Sequence, residues 1–221
     1  MSSVSIEFNG LELSLLPEKA VWIKKTGILL LADLHFGKAS HFRKSGIPIS
    51  EKVHEQDYVQ LQKLVSTYAP SQVYFLGDLF HSSFNEEWET LMHFLGQFPN
   101  TRFHLVLGNH DILPATKYQD PRLQVHPNPI ILESLYLSHE PFSPPAGFLT
   151  ICGHIHPGIL LKGRAKQRVR IPCFHYSGNI LVLPSFGNFT GLALINGQKN
   201  DLIWGIAEDR LIPILSPPVI G

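Results

Sequence analysis

Short apolar runs alternate with polar, glycine-bearing breaks along the whole chain, and the period of each run predicts its element. Val4–Phe8 and Leu11–Leu16 flank Asn9-Gly10, a strong hairpin signal. Lys19–Lys24 and Ile28–Ala32 read as the next two strands, with a turn at Thr26-Gly27. Phe36–Ser50 reads as a loop, and Ser50 is placed to cap a helix that runs to about Tyr68. Val53, Leu61, Leu64, Val65 and Tyr68 supply its apolar face. Pro70 ends that helix and Gln72–Leu76 follows as a strand. Phe84–Phe98 holds a second helix, with Trp88, Leu91, Met92 and Leu95 at helical spacing. Arg102–Leu107, Ile130–Leu132, Leu135–Leu137 and Phe148–Cys152 read as strands. So do Ile159–Leu161, Arg168–Cys173, Ile180–Leu183, Leu192–Ile195, Leu202–Ile206 and Leu211–Leu215. Helices alternate with strands in the first half and strands dominate the second. The pattern predicts an α/β protein of two sheets packed face to face with helices outside. No repeat, low-complexity tract or linker interrupts it, so residues 1–221 are expected to form a single domain.

Five of the apolar runs stop in side chains that can ligate a metal. They end in Asp33-Leu34-His35, Gly77-Asp78-Leu79-Phe80-His81, Gly108-Asn109-His110-Asp111, Ser138-His139 and Gly153-His154-Ile155-His156. Ligands of open α/β sheets bind outside the carboxyl ends of strands. Five such ends on one edge would gather Asp33, His35, Asp78, Asn109, His139, His154 and His156. Such mixed nitrogen and oxygen donors suit manganese, iron or zinc better than magnesium or calcium. The glycines at 77, 108 and 153 each precede a candidate ligand, where the chain must turn sharply or pass closely. Each signal alone has a plainer reading: Asp78 alone would be a helix cap, and a lone histidine at a strand end a hydrogen-bonded surface residue. The five together point to a metal site.

Composition narrows the setting. At 44% hydrophobic residues, the 221-residue chain has ample material for a core. Its formal net charge of zero gives no global attraction to nucleic acid or to acidic membranes, so a polyanion would be held by a local patch or by metal. Cys152 and Cys173 make no disulfide framework and read as small buried hydrophobes in a reducing, cytoplasmic setting. The N-terminus has no basic region followed by an apolar stretch, and no run is long enough for a membrane span. Histidine is the outlier, at 12 residues.

Asp-x-His, Gly-Asp-x-x-His, Gly-Asn-His-Asp, a lone His and Gly-His-x-His, in that order over residues 33 to 156, resemble the calcineurin-like metallophosphoesterases. The resemblance implies a four-layered αββα sandwich with two divalent metal ions, manganese first and iron or zinc as alternatives. It implies that Asp33, His35, Asp78 and His156 hold one ion and that Asp78, Asn109, His139 and His154 hold the other, with Asp78 as the bridge. His110 would then be the catalytic residue that is not a ligand, and Asp111 would orient it. A histidine that merely supports a ligand is the plainer reading of His110. His81 stands open between supporting Asp78 and facing substrate. Two such ions generate hydroxide at neutral pH and clamp a phosphate.

A narrower likeness joins LLLADLHFGKASHFRKSGIPI, the LFH after Gly77-Asp78, GHIHP, the basic strand into RIPCF and the late LPSFGNFTG. These are similar to the bacterial DNA-ligase-associated metallophosphoesterases. That likeness implies a DNA-damage-response endonuclease, encoded near a ligase, a helicase and an exonuclease. Lys162, Arg164, Lys166, Arg168 and Arg170 alternate, so in an extended segment their charges would share one face and could contact DNA phosphates. A solvated edge strand is the plainer reading. Lys38, Arg43 and Lys44 form a second candidate phosphate contact, and Phe36, Phe42 and Phe80 are candidates either for base stacking or for the core. A metal-dependent phosphodiesterase acting on DNA is the expected activity. A small-molecule phosphatase or nucleotide pyrophosphatase using the same site is the alternative.

Overall fold

The computed structural model describes residues 3–37, 52–80, 86–163, 167–188 and 190–214. Two sheets face each other. The first holds seven strands in sequence order: β1 (Val4–Phe8), β2 (Leu11–Leu16), β3 (Ala20–Ile23), β4 (Ile28–Leu31), β5 (Gln72–Leu76), β6 (Arg102–Val106) and β7 (Leu123–His126). From β1 to β4 the pairs are antiparallel, joined by the tight turns expected at Asn9-Gly10 and Thr26-Gly27. From β4 to β7 they are parallel. The change follows from the crossovers, since α1 (Lys52–Tyr68) and α2 (Glu86–Leu95) carry the chain back so that β4, β5 and β6 run the same way.

The second sheet has nine strands. Its main path is β14 (Ala193–Leu194), β11 (Pro157–Lys162), β12 (Arg168–Ser177), β13 (Ile180–Val182), β10 (Leu149–Cys152), β9 (Leu135–Leu137) and β8 (Ile130–Leu132). Off that path, β15 (Leu202–Ala207) pairs with β12, and β16 (Arg210–Ile214) pairs with β15. The three strands β9, β10 and β13 are mutually parallel.

Burial follows the periodicity. Both helices press one face onto the first sheet, where Leu61, Leu64, Val65, Trp88, Leu91, Met92 and Leu95 join Leu29, Phe75 and Leu105 in one core. Val53 lies outside the described side chains. A second core fills the space between the sheets, from Leu13, Leu30, Tyr74 and Val106 to Leu137, Ile151, Phe174 and Leu181. The expected α/β sandwich of two facing sheets is the observed one. Two details differ from expectation. The short strand β7 sits among prolines at 121, 127 and 129, and its polar Gln124 and His126 hide the period. The strands β11 and β12 are longer than expected: β11 runs from Pro157 to Lys162, where Lys162 pairs with Arg168, and β12 continues to Ser177, where Phe174–Ser177 pairs with β13 and β15. Cys152 and Cys173 are both buried and unpaired with each other, and burial pushes both thiols up, Cys173 to about 12. Among the described residues no helix is long and apolar enough to cross a membrane.

Candidate metal centre

The carboxyl ends of β4, β5 and β6 meet those of β9 and β10 across the sandwich, and the candidate ligands follow directly. The chain there is strained. Asp33 (φ 55°), His35 (φ 52°), Asp78 (φ 48°), His154 (φ 67°) and His156 (φ 51°) all occupy the left-handed region. Such a backbone costs a side-chain-bearing residue roughly 1–2 kcal/mol and persists only where its surroundings hold it. Here the holding groups are visible. The pairing of β4 with β5 continues past the ligands through Asp33 N–H to Gly77 O (3.3 Å), His35 N–H to Asp78 O (2.9 Å) and Phe36 N–H to Leu79 O (2.9 Å). It ends in a bridge between Phe36 and Phe80, both fully buried, so these two rings belong to the core and not to a base-stacking surface.

Close approach explains the glycines. Gly77 has φ 78°, and a Cβ there would fall into the His139 ring. A Cβ at Gly108 would strike the Asp78 carboxylate, and one at Gly153 the Asp33 carboxylate. Each glycine is a slot for the ligand of a neighbouring strand.

The donor atoms fall into two sets. In the first, His35 Nε2 lies 3.3 Å from His156 Nε2, His156 Nε2 lies 3.5 Å from Asp33 Oδ1, and His35 Nε2 lies 3.9 Å from Asp78 Oδ2. In the second, His139 Nε2 lies 2.9 Å from Asn109 Oδ1, 3.0 Å from His154 Nδ1 and 3.6 Å from Asp78 Oδ1. Two donors each ~2.1 Å from one cation, at right or tetrahedral angles, stand roughly 3.0–3.4 Å apart. The imidazole and amide contacts at 3.3, 2.9 and 3.0 Å suit a shared cation, while the carboxylate oxygens of Asp33 and Asp78 stand farther off, at 3.5, 3.6 and 3.9 Å. The Asp78 carboxylate turns one oxygen toward each set.

His139 touches both sets by distance, since its Nδ1 is also 3.7 Å from Asp33 Oδ1. That nitrogen, however, lies 3.1 Å from the Leu76 carbonyl, which can accept only from an N–H. The proton belongs on Nδ1, and Nε2 is left as the coordinating atom. Asp33 Oδ2 accepts the His154 N–H at 2.9 Å, while its Oδ1 is buried and accepts no hydrogen bond. A buried carboxylate oxygen without a donor, ringed by imidazoles, fits a cation. Asp33, His35 and His156, and again Asp33, Asp78 and His139, each bring donor atoms within 4.8 Å of one another.

His110 stands at the mouth of the centre. Its N–H donates to Asp78 Oδ1 at 2.9 Å, its ring meets His35 edge-on at 6.1 Å, and its side chain is exposed. Asp111 is buried and accepts the N–H groups of Gly108 (2.8 Å) and Phe80 (3.2 Å). Burial pushes its carboxyl up to about 6, against the pull of those two donors. Asp111 thus fastens the loops after β5 and β6 together and positions His110 through the backbone.

The stretch LPSFGNFTG, which enters the sequence reading only as part of a likeness, has a visible task in the structure. Ser185 Oγ–H donates to Asp33 O at 2.7 Å, Phe186 N–H to Ala32 O at 2.8 Å and Gly187 N–H to Asp33 O at 3.2 Å. The segment clamps the strained turn at Asp33. It is anchored in turn by Asn188, whose N–H and Nδ2 donate to Asp57 Oδ1 at 3.2 and 2.7 Å, and by Lys19, whose Nζ reaches Phe186 O and Asn188 Oδ1, each at 3.2 Å. Asp57 is 1% exposed on α1, and burial raises its carboxyl to about 6. The missed signal was an acid four residues before Leu61, on the helix's apolar stripe.

In the hairpin β11–β12, Lys162 pairs with Arg168 and Leu160 with Arg170. Residues 162, 168 and 170 therefore share one face, opposite Ile159, Val169 and Ile171. Lys38, His41, Phe42, Arg43, Lys44, His81, Arg164 and Lys166 lie outside the described residues.

A two-sheet sandwich with aspartate and histidine clusters at its converging strand ends is the scaffold of a metallophosphoesterase. Residues 26–178 match the calcineurin-like phosphoesterase family, and the chain belongs to it. Among solved structures it is similar to the nuclease MPE of Pseudomonas putida, with 29% identity, 96% of this chain and 100% of that chain covered, and a TM-score of 0.80. A protein of unknown function from Aquifex aeolicus shares 21% identity over 58% of this chain and 78% of its own, at a TM-score of 0.43 that carries no argument. No curated protein sequence matches.

Proposed function

We propose that this metallophosphoesterase is a dinuclear-metal phosphodiesterase that cleaves DNA. The observation that carries the reading is Asp78, whose two oxygens face two separate donor sets. Asp33, His35 and His156 with Asp78 would hold one divalent ion, and Asn109, His139 and His154 with Asp78 the other. Manganese suits this mixed donor set, with iron or zinc as alternatives. The cations supply, when bound, a nucleophile at neutral pH and neutralisation of the phosphate charge. The chain's own residues do the rest. His110 holds a ring proton at the mouth of the centre, where it stabilises charge on the phosphate or is delivered to the leaving oxygen. Asp111 and the Asp78 carboxylate fix the backbone of His110. The backbone N–H of His154 keeps Asp33 Oδ2 engaged and so turns Oδ1 toward the first donor set.

Two observations favour DNA over a small phosphomonoester. The similar structure over nearly the whole chain is that of a nuclease. The face that carries Lys162, Arg168 and Arg170 belongs to a hairpin that begins one residue after His156. The place in DNA repair, beside a ligase, a helicase and an exonuclease, rests on the narrower resemblance, and the cytoplasmic setting on Cys152 and Cys173 as unpaired, buried thiols. The deciding comparison is Mn²⁺-dependent turnover of single- and double-stranded DNA, bis-p-nitrophenyl phosphate and p-nitrophenyl phosphate. DNA and diester cleavage is the expected result. Monoester turnover alone would sink the nuclease reading in favour of a small-molecule phosphatase.

A further inference from the structure

The surroundings of the metal centre differ on its two sides. The cationic hairpin leaves from His156. On the other side a cleft of about 460 Å³ opens against Asn109 and His139, walled by Pro127, Asn128, Pro129 and Phe142. Among the described residues no lysine or arginine lines it, and Glu140 does. An anion placed there would meet a carboxylate and proline rings, so the cleft does not suit phosphate. Pro127, Pro129, Pro141 and Phe142 give it an apolar wall, and the Asn128 amide offers both donors and an acceptor. Phe142 is braced edge-on by Tyr136 at 5.3 Å, and Tyr136 packs on Phe148 at 5.1 Å, so the aromatic wall is supported from behind. The turn that carries it is pinned by Ser138 Oγ–H donating to Glu140 O at 2.7 Å.

We infer that this cleft is the subsite for one nucleobase, that of the nucleotide adjoining the cleaved phosphate. The inference rests on the phosphodiesterase reading. A phosphate held between the two donor sets places its neighbouring nucleoside against the shared wall of Asn109 and His139. A planar, uncharged ring with a polar edge matches that wall, and stacking on Phe142 needs no particular base. Only one of the two flanking nucleosides can use the cleft, because the other leaves toward the basic hairpin. The enzyme therefore distinguishes the two sides of the bond that it breaks.

A dinucleoside monophosphate tests this, since it has one phosphodiester and no further phosphate for the hairpin to hold. With Mn²⁺, wild-type protein is given dithymidine monophosphate and its two analogues that lack one base or the other. Loss of one base should lower kcat/KM about ten-fold, the scale of one stacking contact, and loss of the other should change it less than about three-fold. Phe142→Ala should lose about ten-fold on the complete substrate and little more on the analogue whose missing base fills the cleft. Asn128→Trp, at an exposed position, fills the cleft and should give the same pattern, and it decides the matter if Phe142→Ala does not fold. Turnover of bis-p-nitrophenyl phosphate with equal indifference to both bases, or with no dinucleoside cleavage, overturns this inference alone. Losses from Phe142→Ala and base removal that multiply independently also overturn it. Wild-type protein that cleaves no diester at all overturns the underlying reading and this one with it.

Discussion

Asp78 and His110 are two residues of one site with separable work. Asp78 is buried and offers an oxygen to each donor set, so under the proposed two-ion reading Asp78→Asn would remove the charge between the cations. Metal analysis of Asp78→Asn is expected to find both ions lost, and full occupancy would refute the bridge. His110 holds Asp78 through its backbone N–H, which alanine keeps, and its exposed ring stands at the mouth of the centre, edge-on to His35. His110→Ala should therefore retain both metals and lose ~10²-fold or more in kcat, the usual size of acid–base or charge-stabilising catalysis. Metal loss in His110→Ala would make it a ligand support instead. The ligands were legible in the sequence because each stands at the end of an apolar run. The left-handed backbone of five of them was not legible, since a glycine beside Asp78 or His154 signals a turn or a close approach without saying that the next residue takes positive φ. Side-chain-bearing residues are held there by tertiary contacts that no local pattern reports.

At the scale of elements, the segment after β13 and the hairpin β11–β12 are two candidates for work beyond the donor sets. The first was visible only as Ser, Asn and glycines. What it does depends on Lys19 and Asp57, more than a hundred residues away, and local sequence cannot show such a clamp. Ser185→Ala removes the 2.7 Å bond to Asp33 O and leaves Gly187 N–H as the remaining donor there. The expected cost is ~1 kcal/mol of stability and roughly ten-fold in Mn²⁺ affinity, read by calorimetric titration of metal-free protein. Unchanged metal affinity would reduce the segment to a structural tie. The hairpin was readable, because alternate cations on a strand must share a face, and the register bears this out for Lys162, Arg168 and Arg170. Arg168→Ala with Arg170→Ala should weaken DNA binding and lower the slope of log K against log salt by about 1 to 2. An unaltered salt slope would return the hairpin to the role of a solvated edge.

At the scale of the molecule, one core lies between the two sheets, and a buried histidine, His104, sits in it beside a half-buried one, His126, on the edge strand. His104 on β6 is 5% exposed, stacks on Tyr74 at 4.3 Å and stands 3.2 Å from His126 on β7 through Nδ1, while its Nε2 has no hydrogen-bond partner. The pattern of strands foretold the sandwich, but not that an imidazole would lie inside it, since β6 alternates regardless of what His104 faces. Burial, with the nearby His126 and Arg102 charges adding to it, lowers the His104 pKa to about 4. The sign of the consequence is fixed. Between about 4 and the ordinary value of 6.5, the unfolded chain binds a proton that the folded chain refuses, so stability rises with pH across that window. The group's contribution is complete above pH ~6.5 and is lost as the pH falls toward ~4, by on the order of 2 kcal/mol. His104→Phe keeps a ring against Tyr74, discards the unpartnered Nε2 and cannot titrate. Urea midpoints of metal-free protein at pH 7.5 and 4.5 should thus lie closer together in the variant than in the wild type, with neutral-pH stability changed by no more than ~1 kcal/mol. Equal acid losses in both proteins would show that His104 has no part in the acid sensitivity.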